Sequence, residues 1–114
     1  DRIWLSRFGA CGAPVFTALS DELFRDFAEL RSERAATDDT LSGFVATLAA
    51  ADLERPLAYA TSGGAAKRHA LWFALSHLFN HQTHHRGQAT TLLMQLGCDP
   101  GATDLILLLR GDTA

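Results

Sequence analysis

The stretch Ser76-His77-Leu78-Phe79-Asn80-His81-Gln82-Thr83-His84-His85-Arg86-Gly87-Gln88 carries four of the five histidines of the chain. Its apolar residues recur at the spacing of an α-helix. His81 and His85 are four residues apart, so on a helix their imidazoles share one face, one turn apart. Two imidazoles in that arrangement can bind one metal ion, and histidine is the commonest metal ligand in proteins. The stretch therefore predicts a helix with a metal site.

A helical wheel at about 100° per residue places His81 and His85 at the edge of an apolar stripe. That stripe consists of Leu75, Leu78, Phe79, Leu92, Leu93 and Leu96. We therefore expect both imidazoles to point toward the interior, where an unpaired polar group costs about 1–3 kcal/mol. A shared metal ion would satisfy both rings. The alternative is a separate hydrogen bond from each ring to a carbonyl or carboxylate, which predicts no metal.

Segment 81–85 has the outline of the HExxH motif of zinc proteases, with Gln82 where the glutamate should be. An amide cannot accept a proton from a metal-bound water, so the segment lacks the general base of a peptidase. We therefore exclude the peptidase mechanism. The catalytic residues stay unknown, because no clear acid or base accompanies the histidine pair. His84 and His77 are the candidates for that role.

Three polar neighbours of the pair are candidates for the hydrogen bonds that hold imidazole tautomers: Asn80, His84 and Gln88. An imidazole that binds a metal through one nitrogen almost always donates its other N–H to a nearby acceptor. We therefore expect these side chains to surround the metal ligands without binding the ion themselves.

Arg86 falls on the apolar side of the same wheel. A guanidinium there needs an ion pair or an interface. We predict a structural ion pair between Arg86 and Asp1, with Asp104 as a second candidate partner. The alternative is an arginine whose stem lies on apolar surface while its head reaches solvent.

Composition limits the class of protein. The chain has 114 residues, 47% hydrophobic and 20% charged, with a formal net charge of -3. We predict one globular domain over residues 1–114. Nucleic-acid binding requires a basic patch, which this balance does not favour. No apolar run of about 18 residues and no signal peptide is present.

Cys11 and Cys98 form no paired motif, so we expect reduced thiols in a cytoplasmic protein.

Apolar spacing and glycine positions divide the chain into helical segments. We predict a long helix over residues 21–51, beginning at a cap near Asp21, and a second long helix over residues 67–96. The alternative for the first is two shorter helices, the second capped by Asp38 or Asp39. Gly97 closes the second long helix as a C-cap glycine.

The remaining segments are short. Residues 1–8 have the pattern of the end of a helix, and residues 105–109 predict a last short helix. Leu57, Tyr59 and Thr61 alternate in a segment that is too irregular for a helix, which allows a short hairpin or extended pair there. Since no strand is strong enough to build a sheet, the predicted fold class is all-α, an antiparallel bundle of three to four helices.

The histidine stretch 80–88, with Leu92-Leu93, Gln95-Leu96-Gly97 and Asp104-Leu105, resembles the DinB-like family of damage-inducible, metal-binding bacterial four-helix bundles. The opening Asp1-Arg2-Ile3-Trp4-Leu5 is similar to the end of that family's second helix. The resemblance covers nearly the whole chain, and the histidine stretch is its most specific part.

The resemblance implies a four-helix bundle of up-down-down-up type, often dimeric, that binds nickel or zinc through three histidines. Two of these match His81 and His85. The third would lie on the second helix, before Asp1, and neither His69 nor His77 matches it. We therefore expect an N-terminally incomplete bundle, with a short irregular or hairpin segment before the histidine helix.

The resemblance also implies a function. Relatives in the wider superfamily include thiol-dependent transferases and isomerases, so we expect a divalent-metal-binding protein that acts as a thiol-dependent transferase or hydrolase on an unknown substrate. The alternative is a non-catalytic, stress-associated metal-binding and dimerisation module, which the wholly apolar residues 105–109 favour. Expected partners are a second copy of the chain and a small thiol or other small substrate, with no nucleic acid and no membrane. Whether the protein is an enzyme stays open.

Overall fold

The computed structural model describes residues 1–12 and 18–111. These residues form four α-helices, one 3-10 helix and one antiparallel β-hairpin. In chain order the elements are α1 (Arg2–Phe8), α2 (Phe27–Ala46), the 3-10 helix (Ala50–Glu54), β1 (Pro56–Ala60), β2 (Ala66–Ala70), α3 (Leu71–Gln95) and α4 (Leu105–Arg110). The chain divides into two compact units, a first unit Asp1–Leu78 and a second unit Phe79–Ala114. The prediction of one domain over residues 1–114 stays a prediction.

The hairpin makes the all-α prediction wrong, and with it the prediction of an all-α four-helix bundle. β1 and β2 pair in antiparallel register, from Pro56 opposite Ala70 to Ala60 opposite Ala66. The hairpin that the alternating residues allowed therefore forms. Its second strand takes residues 66–70, most of which the apolar periodicity assigns to the start of the histidine helix. Lys67 and Arg68 are exposed there, and exposed charged residues are compatible with either a helix or an edge strand.

α2 begins six residues later than predicted, because Asp26 and not Asp21 is its N-cap. The Asp26 carboxylate accepts a hydrogen bond from the backbone N–H of Glu29 at 2.9 Å, which satisfies one of the free amides of the first turn. The Asp21 carboxylate accepts instead from the backbone N–H of Ala18 at 2.9 Å, in a turn before the helix. Both aspartates have the sequence context of a cap, and only the folded chain distinguishes them.

α2 continues without a break through residues 37–40, so the alternative of two shorter helices is wrong. The hydroxyls of Thr37 and Thr40 donate to the carbonyls of Glu33 and Ala36 at 2.7 and 2.8 Å. Both hydroxyls are thus satisfied by carbonyls of the preceding turn, and the helix continues through them.

The core of the first unit is built on one face of α3. Four of its side chains, at helical spacing, are buried: Leu71, Ala74, Leu75 and Leu78. They form a cluster with Leu5 and Phe8 of α1 and Leu41 of α2. Phe8 also stacks on Phe44 of α2, with ring centroids 5.2 Å apart and planes 6° from parallel. The backbone N–H of Leu71 donates to Arg55 O at 2.9 Å, where the hairpin ends and α3 begins.

Arg7 joins α1 to the hairpin. Its guanidinium contacts two aromatic rings that also contact each other, 4.6 Å from the centroid of Trp4 and 4.7 Å from that of Tyr59. It also donates to Ala60 O at 3.1 Å. Each cation–π contact at a partly exposed site is worth about 0.5–1 kcal/mol, so Arg7 stabilises the position of the hairpin on α1.

The carboxyl end of the chain follows the prediction more closely. Gly97, with φ of 77°, ends α3, and the backbone N–H of Cys98 reaches back to Leu93 O at 2.9 Å. This pair is the usual glycine-based helix ending. α4 forms where the apolar residues 105–109 predict it.

Cys11 and Cys98 are free and exposed. None of the described helices is both long and apolar enough to cross a bilayer. The cytoplasmic location stays a prediction.

The buried face of α3 can be tested with one buried and one exposed leucine. We expect Leu78→Ala to lower the free energy of unfolding by about 2–5 kcal/mol, because Leu78 is 1% exposed in the core cluster. Leu19→Ala should change it by less than about 0.5 kcal/mol, because Leu19 is 72% exposed. Urea unfolding followed by circular dichroism measures both. Equal losses in the two variants would contradict this core.

Candidate metal site

The histidine stretch lies on α3, but its imidazoles do not point into a core. His81, His84 and His85 are exposed. The expectation that His81 and His85 point toward the interior is therefore wrong. The wheel assumed one apolar stripe along the whole helix, whereas the buried positions of α3 end at Leu78.

His81 and His85 lie close together on the helix surface. Their ring centroids are 4.5 Å apart and their planes are inclined by 72°. A divalent ion binds imidazole nitrogen at about 2.0–2.1 Å, which sets two ligating rings roughly 4.5–5.5 Å apart, centre to centre, at ligand angles of about 90–110°. The observed separation is at the short limit of this range. The pair therefore has the donor type and the ring spacing that a shared ion needs.

His84 adds a third ring beside the pair. Its centroid is 5.2 Å from that of His85 and 6.4 Å from that of His81. Within residues 1–12 and 18–111, however, no group of three or more histidine, cysteine, aspartate or glutamate side chains is arranged to hold a metal ion. The described chain thus offers a pair of imidazoles and not a complete set of ligands.

Gln88 contacts one member of the pair. Its Oε1 lies 2.8 Å from Nδ1 of His85, one turn back along α3. The turn that carries Gln88 has further side-chain hydrogen bonds, because the hydroxyls of Thr90 and Thr91 both donate to Gly87 O at 2.9 Å. This contact supports a role of Gln88 in holding the ring. The roles predicted for Asn80 and His84 at the imidazole nitrogens stay predictions, and Asn80 is exposed on α3.

The predicted ion pair between Arg86 and Asp1 would join residues of different units. Asp1 belongs to the first unit, where its carboxylate pairs with Arg34, which also pairs with Asp38. Arg86 belongs to the second unit and is exposed. The Asp1 carboxylate therefore already has a cationic partner on α2, and the ion pair of Arg86 with Asp1 stays a prediction.

His77 belongs to the first unit and has a different environment from the pair. Its ring centroid is 5.2 Å from that of Trp4, which in turn contacts Tyr59 at 5.2 Å. The sequence does not predict these contacts, because they join residues far apart in the chain and no local spacing signals them. The bonds of Thr90 and Thr91 to Gly87, by contrast, follow from i−3 and i−4 spacings on a helix, which the sequence contains.

Family membership follows from the whole sequence. The model of the DinB family matches residues 1–113. The chain belongs to the DinB family. This confirms the resemblance that the histidine stretch carries, and DinB proteins are generally metal-binding. No curated protein and no solved structure matches this DinB-family chain.

Gly87 lies inside the site-bearing part of α3, and an added Cβ there would meet no atom of the described residues within 4 Å. We therefore expect Gly87→Ala to raise the free energy of unfolding by up to about 1 kcal/mol, because alanine is the better helix former. Ala89→Gly, two residues on, is the matched control and should lower it by a similar amount. Thermal unfolding measures both. A destabilised Gly87→Ala would instead indicate that another helix packs closely on Gly87.

Proposed function

We propose that this DinB-family protein binds a divalent metal ion, nickel or zinc, through His81 and His85. The observation that carries the proposal is the 4.5 Å separation of the two ring centroids on one face of α3. Imidazole suits both metals, so the ligands leave the choice between them open. The exposure of the rings also gives an ion direct access from solvent.

Two imidazoles occupy half of a tetrahedral coordination shell. A divalent ion with the remaining positions open lowers the pKa of a coordinated water or thiol, which is the chemistry that a thiol-dependent transferase or a hydrolase requires. We propose that reaction class for the protein, with a small thiol or another small molecule as substrate. The segment 81–85 supplies no carboxylate base, since Gln82 is an amide.

His84 is the side chain we propose for proton transfer beside the pair. Its ring contacts that of His85, with 5.2 Å between the two centroids, and it is exposed. An imidazole can hold or release a proton near neutral pH, and a group in this position would reach a water or thiol next to the pair. His84 would hold or accept a proton at a ring nitrogen beside the pair.

The second candidate function is a non-catalytic metal-binding and dimerisation module. Its support is the apolar surface of the second unit, where eight large side chains are exposed: Phe79, Leu92, Leu93, Met94, Leu96, Leu105, Ile106 and Leu109. Residues 105–109 contain no charged side chain. We propose a second copy of the chain as the partner, because a symmetric pair buries the same apolar surface on both copies at once.

Metal analysis of a double variant tests the proposed ligands. We expect wild-type protein incubated with Zn²⁺ or Ni²⁺ and then desalted to retain metal, and His81→Ala/His85→Ala to lose it, because both imidazoles are removed. Atomic spectroscopy of metal per chain is the measurement. Added metal should also raise the melting temperature of the wild type and leave that of the double variant unchanged, because only the folded pair binds the ion.

A histidine outside the pair is the matched control. His69→Ala removes one imidazole from β2 in the first unit, and it should keep the metal content of the wild type. Circular dichroism checks that all variants remain helical, which the exposure of His81 and His85 favours. Equal metal content in the wild type and the double variant would refute the ligand assignment.

Two leucines of equal exposure test the dimerisation proposal. Leu109 in α4 and Leu19 in the first unit are each 72% exposed. We expect Leu109→Glu to shift the protein from dimer to monomer, because it places a charge in the proposed interface, and Leu19→Glu to leave the dimer intact. Size-exclusion chromatography with light scattering measures the mass. A monomeric wild type, or a dimer that both variants retain, would exclude this interface.

A further inference from the structure

We infer that Gln88 is a positioning residue that holds His85 in its Nδ1–H tautomer, so that Nε2 is the atom presented to a metal ion. This inference rests on the proposed function and deepens it, because it names the ligand atom of one of the two imidazoles. It derives from the contact between Gln88 and His85 and not from the spacing of the histidines.

The tautomer follows from the chemistry of the two atoms in contact. Gln88 Oε1 is a carbonyl oxygen, which accepts hydrogen bonds and cannot donate them. Placed 2.8 Å from Nδ1 of His85, Oε1 pairs with the tautomer that carries the proton on this nitrogen. In the neutral ring the other nitrogen, Nε2, then has the free lone pair that a metal needs.

The contact has an orienting effect because His85 is exposed. An exposed imidazole without such a contact can rotate and can exchange its proton between the two nitrogens, and in water the Nε2–H form is the favoured one. The hydrogen bond to Gln88 selects the opposite form and limits rotation of the ring. His85 is thereby prepared for a metal before one binds, which lowers the entropy lost on binding.

The turn around Gln88 is itself well defined. Gly87, its neighbour, accepts hydrogen bonds from the hydroxyls of Thr90 and Thr91 at 2.9 Å each. Gln88 and His85 are three residues apart, the spacing at which two side chains on a helix meet. The amide therefore reaches the ring from a regular helical turn and needs no distortion of the backbone.

Two substitutions distinguish the effect of the acceptor oxygen of Gln88 from the effect of the size of its side chain. Gln88→Met keeps a similar length and removes the oxygen, whereas Gln88→Glu keeps an oxygen that can accept from Nδ1–H. Gln95→Met, on the same helix, is the matched control. The tautomer of His85 is measured in metal-free protein from the nitrogen chemical shifts of its ring. The affinities for Zn²⁺ and Ni²⁺ are measured by competition with a chromophoric chelator.

We expect Nδ1–H His85 in the wild type, in Gln88→Glu and in the Gln95→Met control, and a change toward Nε2–H in Gln88→Met. Metal affinity should fall about 10–100-fold in Gln88→Met and should be kept in Gln88→Glu. A merely structural role of Gln88 would not change the tautomer while the helix content stays constant.

The failures of the two proposals are distinguishable. An Nε2–H His85 in the wild type, or a Gln88→Met variant with wild-type tautomer and affinity, overturns the role of Gln88 and leaves the metal pair in place. A wild type that takes up neither ion overturns the proposed metal site. The tautomer of metal-free His85 then decides the role of Gln88 alone.

Discussion

Burial of one face of α3 between Leu71 and Leu78 is the constraint on which the rest of the structure depends. These side chains form the centre of the first unit, with Leu5 and Phe8 of α1 packed on them. The removal of several leucine-sized side chains from water, each worth about 1.5–3 kcal/mol, anchors the first two turns of the helix. The histidines lie on later turns of α3, where the geometry of an α-helix sets the spacing of neighbouring side chains.

This arrangement places the proposed metal ligands on a surface. Exposed imidazoles keep their hydration, so they avoid the cost that an unpaired buried polar group would have. On a surface, the orientation of each ring depends on local contacts. The bond between Gln88 and His85 is such a contact, and it lies within one turn of the same helix. The orientation of His85 is thus set within α3.

The sequence predicted those features that depend on residues a few positions apart. The end of α3 at Gly97, the short α4 and the approach of His81 to His85 all follow from local spacing. The sequence pattern places the start of α2 too early, because Asp21 and Asp26 have equally good local contexts for a cap. The all-α fold class was wrong, because residues 66–70 form a strand only through pairing with β1, which a single-sequence periodicity does not contain.

The local sequence pattern also does not predict that the histidines are exposed. A helical wheel gives the direction of a side chain but not whether another element covers that side, and α3 changes from buried to exposed at Leu78. The contacts of Trp4 with His77 and of Arg7 with Tyr59 likewise join distant parts of the chain. A single sequence contains the residues of such contacts, but their pairing arises only when the chain folds.

The coordination positions of the metal ion that His81 and His85 do not fill determine which proposed function holds. If water or a small thiol occupies them, the ligand exchanges and can be activated, as catalysis requires. If side chains of a second copy occupy them, the shell is closed and the ion joins two chains, as at a structural zinc site. Both proposals use the same two imidazoles, so at the metal ion they differ in the chemistry of the remaining ligands. The exchange rate of those ligands, more than the presence of the metal, therefore separates an enzyme from a dimerisation module.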